Sequence, residues 1–423
     1  MKFTINDGVL LNCARPKRVT AIPQGVTVIA ERAFAHEKVR EIIIPEGVTE
    51  IGEDAFHDCA QLRSVTLPST LKRIGKGAFS YCFKLCDIVL PDGLEEIGDY
   101  AFSSCFMLQK ITLPAGLDRI GINCFFECTS LIRIAVPEGV TEIGEGAFMA
   151  CVALKEAILP DSVNRIGAKA FKDCKKLERI KVPDEVTVIE DYTFCDCADL
   201  RQITLSENLT SIGVQAFSGC EKLEAVPLPD SVVHIGTYAV IRCKNLKSFT
   251  LPKGIDRLEY RFFEDCESLE SVVLHDGVTS IESFVFSGCK NLKTIDLPDS
   301  IKKISADAFF GCESLKSVRI PKGVDRISGW MFYGCSGLRS VTLHDGITTI
   351  DERAFFRCVS LKSITIPKSI THIGEYALGF CGDDPDETGD APSRIDGFVI
   401  QGYADTCAEL YANDADIPFE TIK

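Results

Sequence analysis

Residues 62–84, LRSVTLPSTLKRIGKGAFSYCFK, decide the fold, because the same apolar spacing returns every 23 residues as far as Cys381. Leu62, Val65 and Leu67 place three apolar side chains on one face of a short strand, and Pro68, which has no N–H to give a ladder, stops it. Leu71 and Ile74 form a second inward pair, after which Gly75 is expected to lend the backbone freedom for a corner. Ala78, Phe79 and Cys82, at i, i+1 and i+4, suit one or two turns of helix with a single buried face.

The Phe of the unit recurs at Phe34, Phe56, Phe79, Phe102, Phe125, Phe148, Phe171, Phe194 and Phe217, then from Phe263 through Phe286, Phe309 and Phe332 to Phe355, with Val240 and Leu378 in the two remaining slots. Sixteen coils result, and fifteen of them carry Ile at the position of Ile74, with Leu258 in the other. A fixed period in this range marks a solenoid, whose units bury their apolar faces against their neighbours and gain stability only when a neighbour is present. The expected fold is therefore an α/β solenoid of about 16 coils of 23 residues, with a parallel sheet on the concave face and short helices on the convex side. Three parts follow: a capping hairpin over 1–18, in which Asn6-Asp7-Gly8 turns one strand into the next, the solenoid over 19–381, and an acidic loop with a C-terminal capping unit over 382–423. The loop from Gly382 to Pro392 is expected to be mobile, followed by a strand near Phe398, a short helix over 406–413 and a last extended piece at Phe419.

The net charge of −15 argues against nucleic-acid binding, which needs a basic footprint. Residues 382–423 hold eleven Asp or Glu against Arg394 and Lys423, so most of the acidity belongs to the C-terminal part. No stretch approaches the roughly 18 apolar residues of a membrane span, and Met1-Lys2 leads into no apolar run, so neither membrane insertion nor secretion is expected. The expected address is the cytoplasm, with the cell surface or secretion as the alternative if the native start lies upstream.

Fifteen of the twenty cysteines, from Cys59 and Cys82 to Cys381, occupy one slot three residues past the Phe. Coils about 4.8 Å apart hold such side chains in parallel, beyond the ~3.5–4.5 Å between Cβ atoms of a disulfide, so these thiols are expected to be reduced, buried and structural. Metal ligation would need clustered spacings, which Cys195/Cys197 and Cys124/Cys128 do not supply. The six histidines are scattered; His275 and His344 replace the strand-ending Pro in coils three apart, too far to share a metal. No phosphate-binding loop and no nucleophile elbow is present, so no catalytic residue, metal site or cofactor is expected.

Positions two and four after each strand's first Leu point outward, and most are Ser or Thr, as at Ser64/Thr66, Ser340/Thr342 and Ser363/Thr365. Against that background Asp87/Val89, Arg133/Ala135, Glu156/Ile158 and Arg179/Lys181 stand apart. The candidate partner-binding residues are accordingly Asp87, Val89, Arg133, Glu156, Ile158, Arg179 and Lys181. A second run, Arg73, Glu96, Arg119, Glu142 and Arg165, alternates sign coil by coil, which reads as register control.

The run Ile-Gly-x-x-Ala-Phe-x-x-Cys, intact at 74–82, 97–105, 143–151, 166–174 and 212–220, resembles the BspA-type leucine-rich repeat of bacterial surface proteins. The ending from Gly402-Tyr403-Ala404 through Ala408 to Phe419 is similar to that family's terminal unit. Unlike the wider leucine-rich class, the chain carries only Asn208 at the slot where an Asn satisfies the turn backbone. The resemblance implies a leucine-rich-repeat solenoid that acts without catalysis, as an adhesin-like or scaffolding module binding a protein through its concave sheet. The alternative is a structural, self-assembling solenoid whose ends oligomerise.

Overall fold

Stacked phenylalanines set the spacing of the coils. In the computed structural model, which describes residues 1–383 and 391–423, the rings from Phe34 to Phe217 form one continuous ladder with centroids 5.0–5.7 Å apart. Rings from Phe263 to Phe355 form another with spacings of 5.1–5.5 Å. The chain divides into two compact units, Met1–Glu221 and Lys222–Lys423, and one ladder runs through each.

In the first unit, strands Lys2–Asn6 and Val9–Ala14 pair antiparallel around Asp7 and Gly8, both at positive φ, the geometry of the tight hairpin turn whose twist matches its strands. The second of them runs parallel to Val28–Ile29, and Glu50–Ile51, Arg73–Ile74 and Glu96–Ile97 extend that sheet to six strands. Arg119–Ile120, Glu142–Ile143 and Arg165–Ile166 continue the same row of second strands. The row of first strands forms two sheets of four, Val19–Ala21 to Asp87–Ile88 and Arg133–Ala135 to Gln202–Thr204. From Glu41 onward the strands pair in register one period apart, as Ser64 with Asp87 and Ile51 with Ile74, so equivalent side chains meet.

The second unit repeats the plan, with first strands such as Ser248–Thr250 beside Ser271–Val273 and second strands such as Arg326–Ile327, Thr349–Ile350 and His372–Ile373. Ser363–Thr365, Val399–Gly402 and Phe419–Thr421 form a three-stranded parallel sheet at its C-terminal end. Helix Cys407–Asp414 buries Ala408 and Ala412 there, and the Tyr411 hydroxyl both donates to the Leu378 carbonyl and accepts from its N–H. Most of the acidic loop lies outside the described residues.

The short helices expected over each Ala-Phe-x-x-Cys segment are turns instead. Asp54, Phe56 and Asp58 donate their N–H groups to Lys76, Ala78 and Ser80 of the next coil, while Ala55, His57 and Cys59 close back onto Gly52, Asp54 and Phe56 of their own. Two residues per coil, those just before the Ala and the Cys, hold positive φ, as Asp54 and Asp58 do at 52°, and a right-handed helix cannot propagate through them. Spacing gives the reason. An α-helix with its side chains is about 10–12 Å wide and cannot repeat at the rise set by the Phe ladder, whereas a ribbon of turns can.

Gly75 also plays a part other than the one its position suggests. Its φ is not positive, and a Cβ there would lie 2.7 Å from the backbone carbon of Gly52, one coil back. Gly98, Gly144, Gly167 and Gly213 stand likewise against preceding backbone at 2.5–2.8 Å, so the Gly after the Ile permits close approach of coils. Gly98→Ala is therefore expected to destabilise the first unit by about 1–3 kcal/mol through overpacking. A glycine kept only for chain freedom would instead give a gain of ~0.4–1 kcal/mol on the same substitution, so the sign of the urea-midpoint shift separates the two roles.

All twenty cysteines are free thiols, seventeen of them buried. Cys82, Cys105, Cys128 and Cys151 each donate S–H to the carbonyl of the Phe one coil back, at 3.1–3.3 Å. The slot thus takes a side chain small enough for the core that still offers a weak donor to a carbonyl with a spare lone pair. Of the alternating charges, Arg73 pairs with Glu96 at 2.9 Å and Arg165 with Glu142, while Arg119 turns to Asp99 at 3.5 Å.

Candidate functional site

Outward side chains of the first strands, each flanked by the inward apolar residues that fix its direction, make one face of the first unit. The sheet Arg133–Ala135, Glu156–Ile158, Arg179–Lys181, Gln202–Thr204 brings five of the seven candidate residues together. Arg133, Glu156, Arg179 and Gln202 lie side by side in register, and Arg133 and Glu156 form an ion pair of 3.1 Å. Ile158, 40% exposed, sits in the row of Ala135, Lys181 and Thr204. Lys181 reaches across to Asp161 at 3.0 Å, and that hydrogen bond holds its ammonium pKa above the usual lysine value. Asp87 belongs to the other sheet, and Val89, just past the end of its strand, is 74% exposed. The coil between the two sheets, around Ile111, forms no ladder strand. The structure therefore places the candidates on one face as two groups.

Two of the histidines close turns. His275 accepts from the Gly277 N–H through Nδ1 at 3.0 Å, so its proton sits on Nε2 and is donated to the Pro252 carbonyl at 3.1 Å. His344 makes the same pair with Gly346 and Pro321. In each His-Asp-Gly turn the imidazole does what a turn side chain does, tying the corner to the coil before it. Asn208 holds the Asp184 carbonyl at 3.1 Å in the manner of the missing Asn ladder.

A groove of about 700 Å³ lies on the turn-bearing side of the first unit. Its middle is lined by Tyr81, Tyr100, Ser103, Asn123, Phe126 and Met149, and Gly77 and Gly146 keep its floor low. Reading this stretch as helix hid these residues, because a helical wheel scatters them. In the observed turns all but Tyr81, which stands just before its Cys, fall in two columns, just before the Ala and just after the Phe, and the signal was the mixture of Gly and Ser with aromatic residues down those columns. Among the described residues no three His, Cys, Asp or Glu are placed to hold a metal ion, and no helix is long and apolar enough to cross a membrane.

The chain matches the family model for the BspA type leucine rich repeat region (6 copies) over residues 3–132, 49–178, 164–278 and 256–383. A leucine-rich repeat protein from Bacteroides ovatus has a crystal structure similar to it, with 27% identity and a TM-score of 0.68 over 100% of this chain and 98% of that one. A leucine rich cell surface protein from Faecalibacterium prausnitzii is 27% identical over 80% of this chain and 92% of its own, with a TM-score of 0.48. None of the curated proteins matches the chain. A period of 23, an Ile, a Phe and a Cys stacked in nearly every coil, and a family match that spans the repeats leave one assignment: the chain belongs to the BspA-type leucine-rich repeat family.

Proposed function

We propose that the chain is a non-enzymatic protein-binding module that presents the first-strand face of its N-terminal unit to a protein partner. One observation carries this reading: Arg133, Glu156, Ile158, Arg179 and Lys181 converge on one four-stranded sheet, whereas Ser64/Thr66, Ser248/Thr250, Ser340/Thr342 and Ser363/Thr365 hold the equivalent positions of other coils. A mixed charged and apolar patch on a rigid sheet is the composition of a protein interface, and solenoids offer such faces without any moving part. Asp87 and Val89 extend the contact along the same face. The hairpin at 1–18 and the unit over 382–423 act as end caps that keep the repeat from adding further copies.

The test is charge reversal of Arg179 and Lys181 together, compared with the wild type in affinity capture from the native host. Proteins retained by the wild-type chain are expected to fall about tenfold in the double variant, since removing paired interface charges slows association and speeds release. An unchanged set of captured proteins overturns the assignment of the patch. Capture of further copies of the chain alone replaces it with self-assembly.

A further inference from the structure

We propose that the turn-face groove of the first unit binds an uncharged, β-1,4-linked pyranose chain. The first argument is metric. The groove runs from Arg32 to Lys172, across the seven coils of Phe34 to Phe171, whose rings step by 5.0–5.6 Å. An extended β-1,4 glycan advances one ring over nearly that distance, so successive sugars meet successive coils at equivalent positions. An extended peptide advances about 3.3 Å per residue and falls out of step with the coils within two residues.

The second argument is chemical. Tyr81 and Tyr100, 45% and 40% exposed, line the groove, and the apolar C–H faces of a pyranose pack on exposed aromatic rings while the hydroxyls point sideways. Beside them the Ser103 hydroxyl lines the groove on a residue only 3% exposed, and neither it nor the Asn123 amide makes a side-chain hydrogen bond among the described residues. Both groups are placed to donate to and accept from ligand hydroxyls lying in the groove. Gly77 and Gly146, at φ near 60°, leave floor space that a Cβ would close at 2.3 Å from Asp54 and 2.2 Å from Asn123.

Charge selects within that chemistry. Three of the groove's four cations stand beside an acid, Arg32 with Asp54 at 3.4 Å, Lys76 with Glu53 at 3.5 Å and Lys169 with Glu145 at 3.1 Å. The site therefore has no strong field for a phosphorylated or acidic ligand, and its polar middle suits neutral hydroxyls. The inference is independent of the protein-binding reading, which concerns the other face.

Calorimetric titration of the full chain with cellohexaose and with N-acetylchitohexaose, each against its disaccharide, tests it; the two arms distinguish a glucan from an aminoglycan. At least one hexasaccharide is expected to bind about tenfold more tightly than its disaccharide. Ser103→Ala should weaken that binding about fivefold, the size of one lost hydrogen bond, and Tyr100→Ala by at least as much, while Tyr100→Phe keeps it. Circular dichroism verifies that the variants fold, and if Tyr100→Ala does not, Ser103→Ala decides. No binding of either hexasaccharide at millimolar concentration, or binding that both alanine variants leave intact, overturns the proposal.

Discussion

Raising the pH from about 8 to about 10 under reducing conditions is expected to unfold the chain through its cysteines. Burial pushes the Cys59 and Cys151 thiols up to about 12, and Cys82, Cys105, Cys128 and Cys174 also lie well above the ordinary thiol value for the same reason. Cys266, Cys289, Cys312 and Cys358 repeat the effect in the second unit. An unfolded thiol ionises near pH 8.5, while these stay protonated in the folded chain. Their contribution to stability is whole below that pH and is lost as the pH climbs toward the folded value, because only the unfolded chain releases the protons. Each thiol costs about 1.4 kcal/mol per pH unit in that window, and these ten acting together remove about 14 kcal/mol per unit, against the ~5–15 kcal/mol that holds an ordinary domain. Far-UV circular dichroism against pH reads the transition. Replacing Cys105, Cys128 and Cys151 by Ala should flatten the slope of stability against pH by about 1.4 kcal/mol per unit for each thiol removed. A chain that keeps its secondary structure at pH 11 contradicts the ladder of protonated thiols.

The same regularity explains which parts of the molecule were legible in its sequence. Leu62, Val65, Leu71, Ile74, Phe79 and Cys82 announce themselves because each is inward in every coil, and the structure buries all six. The segment from Lys76 to Phe83 reads as helical in the sequence but forms turns, since a spacing of i, i+1, i+4 is shared by a helix and by a ribbon of turns. Nothing local distinguishes them. The choice is made by the rise between coils and by left-handed residues that need not be Gly: Tyr81 and Tyr100 both sit at φ 60°. The candidate patch was legible in part. That Arg133 to Lys181 share a sheet follows from the period, but the break of the ladder at Ile111, which separates Asp87 and Val89 from them, does not. The groove stayed hidden because it depends on which turn side chains stand up from a backbone whose course the pattern did not give.

Phe148→Ala is expected to cost about 3–5 kcal/mol, the range for deleting a fully buried aromatic side chain. Phe148 is inaccessible to solvent and stacks on both neighbours, Phe125 at 5.5 Å and Phe171 at 5.4 Å. Truncation leaves a void between coils that cannot close, because the strand ladders on either side hold their spacing from Glu142–Ile143 to Arg165–Ile166. Phe34, at the start of the ladder, has a single stacked partner, Phe56 at 5.0 Å. Phe34→Ala should therefore cost less by about one ring–ring interaction, ~0.5–1.5 kcal/mol. In a stack of nearest-neighbour interfaces a central loss also weakens the coupling between the coils on either side of it. Urea unfolding of the central variant should accordingly show a lower slope as well as a lower midpoint, while the end variant shifts the midpoint alone. Equal losses at Phe34 and Phe148 would mean that stability resides within each coil, and the packing of coil on coil would then no longer be what holds the molecule together.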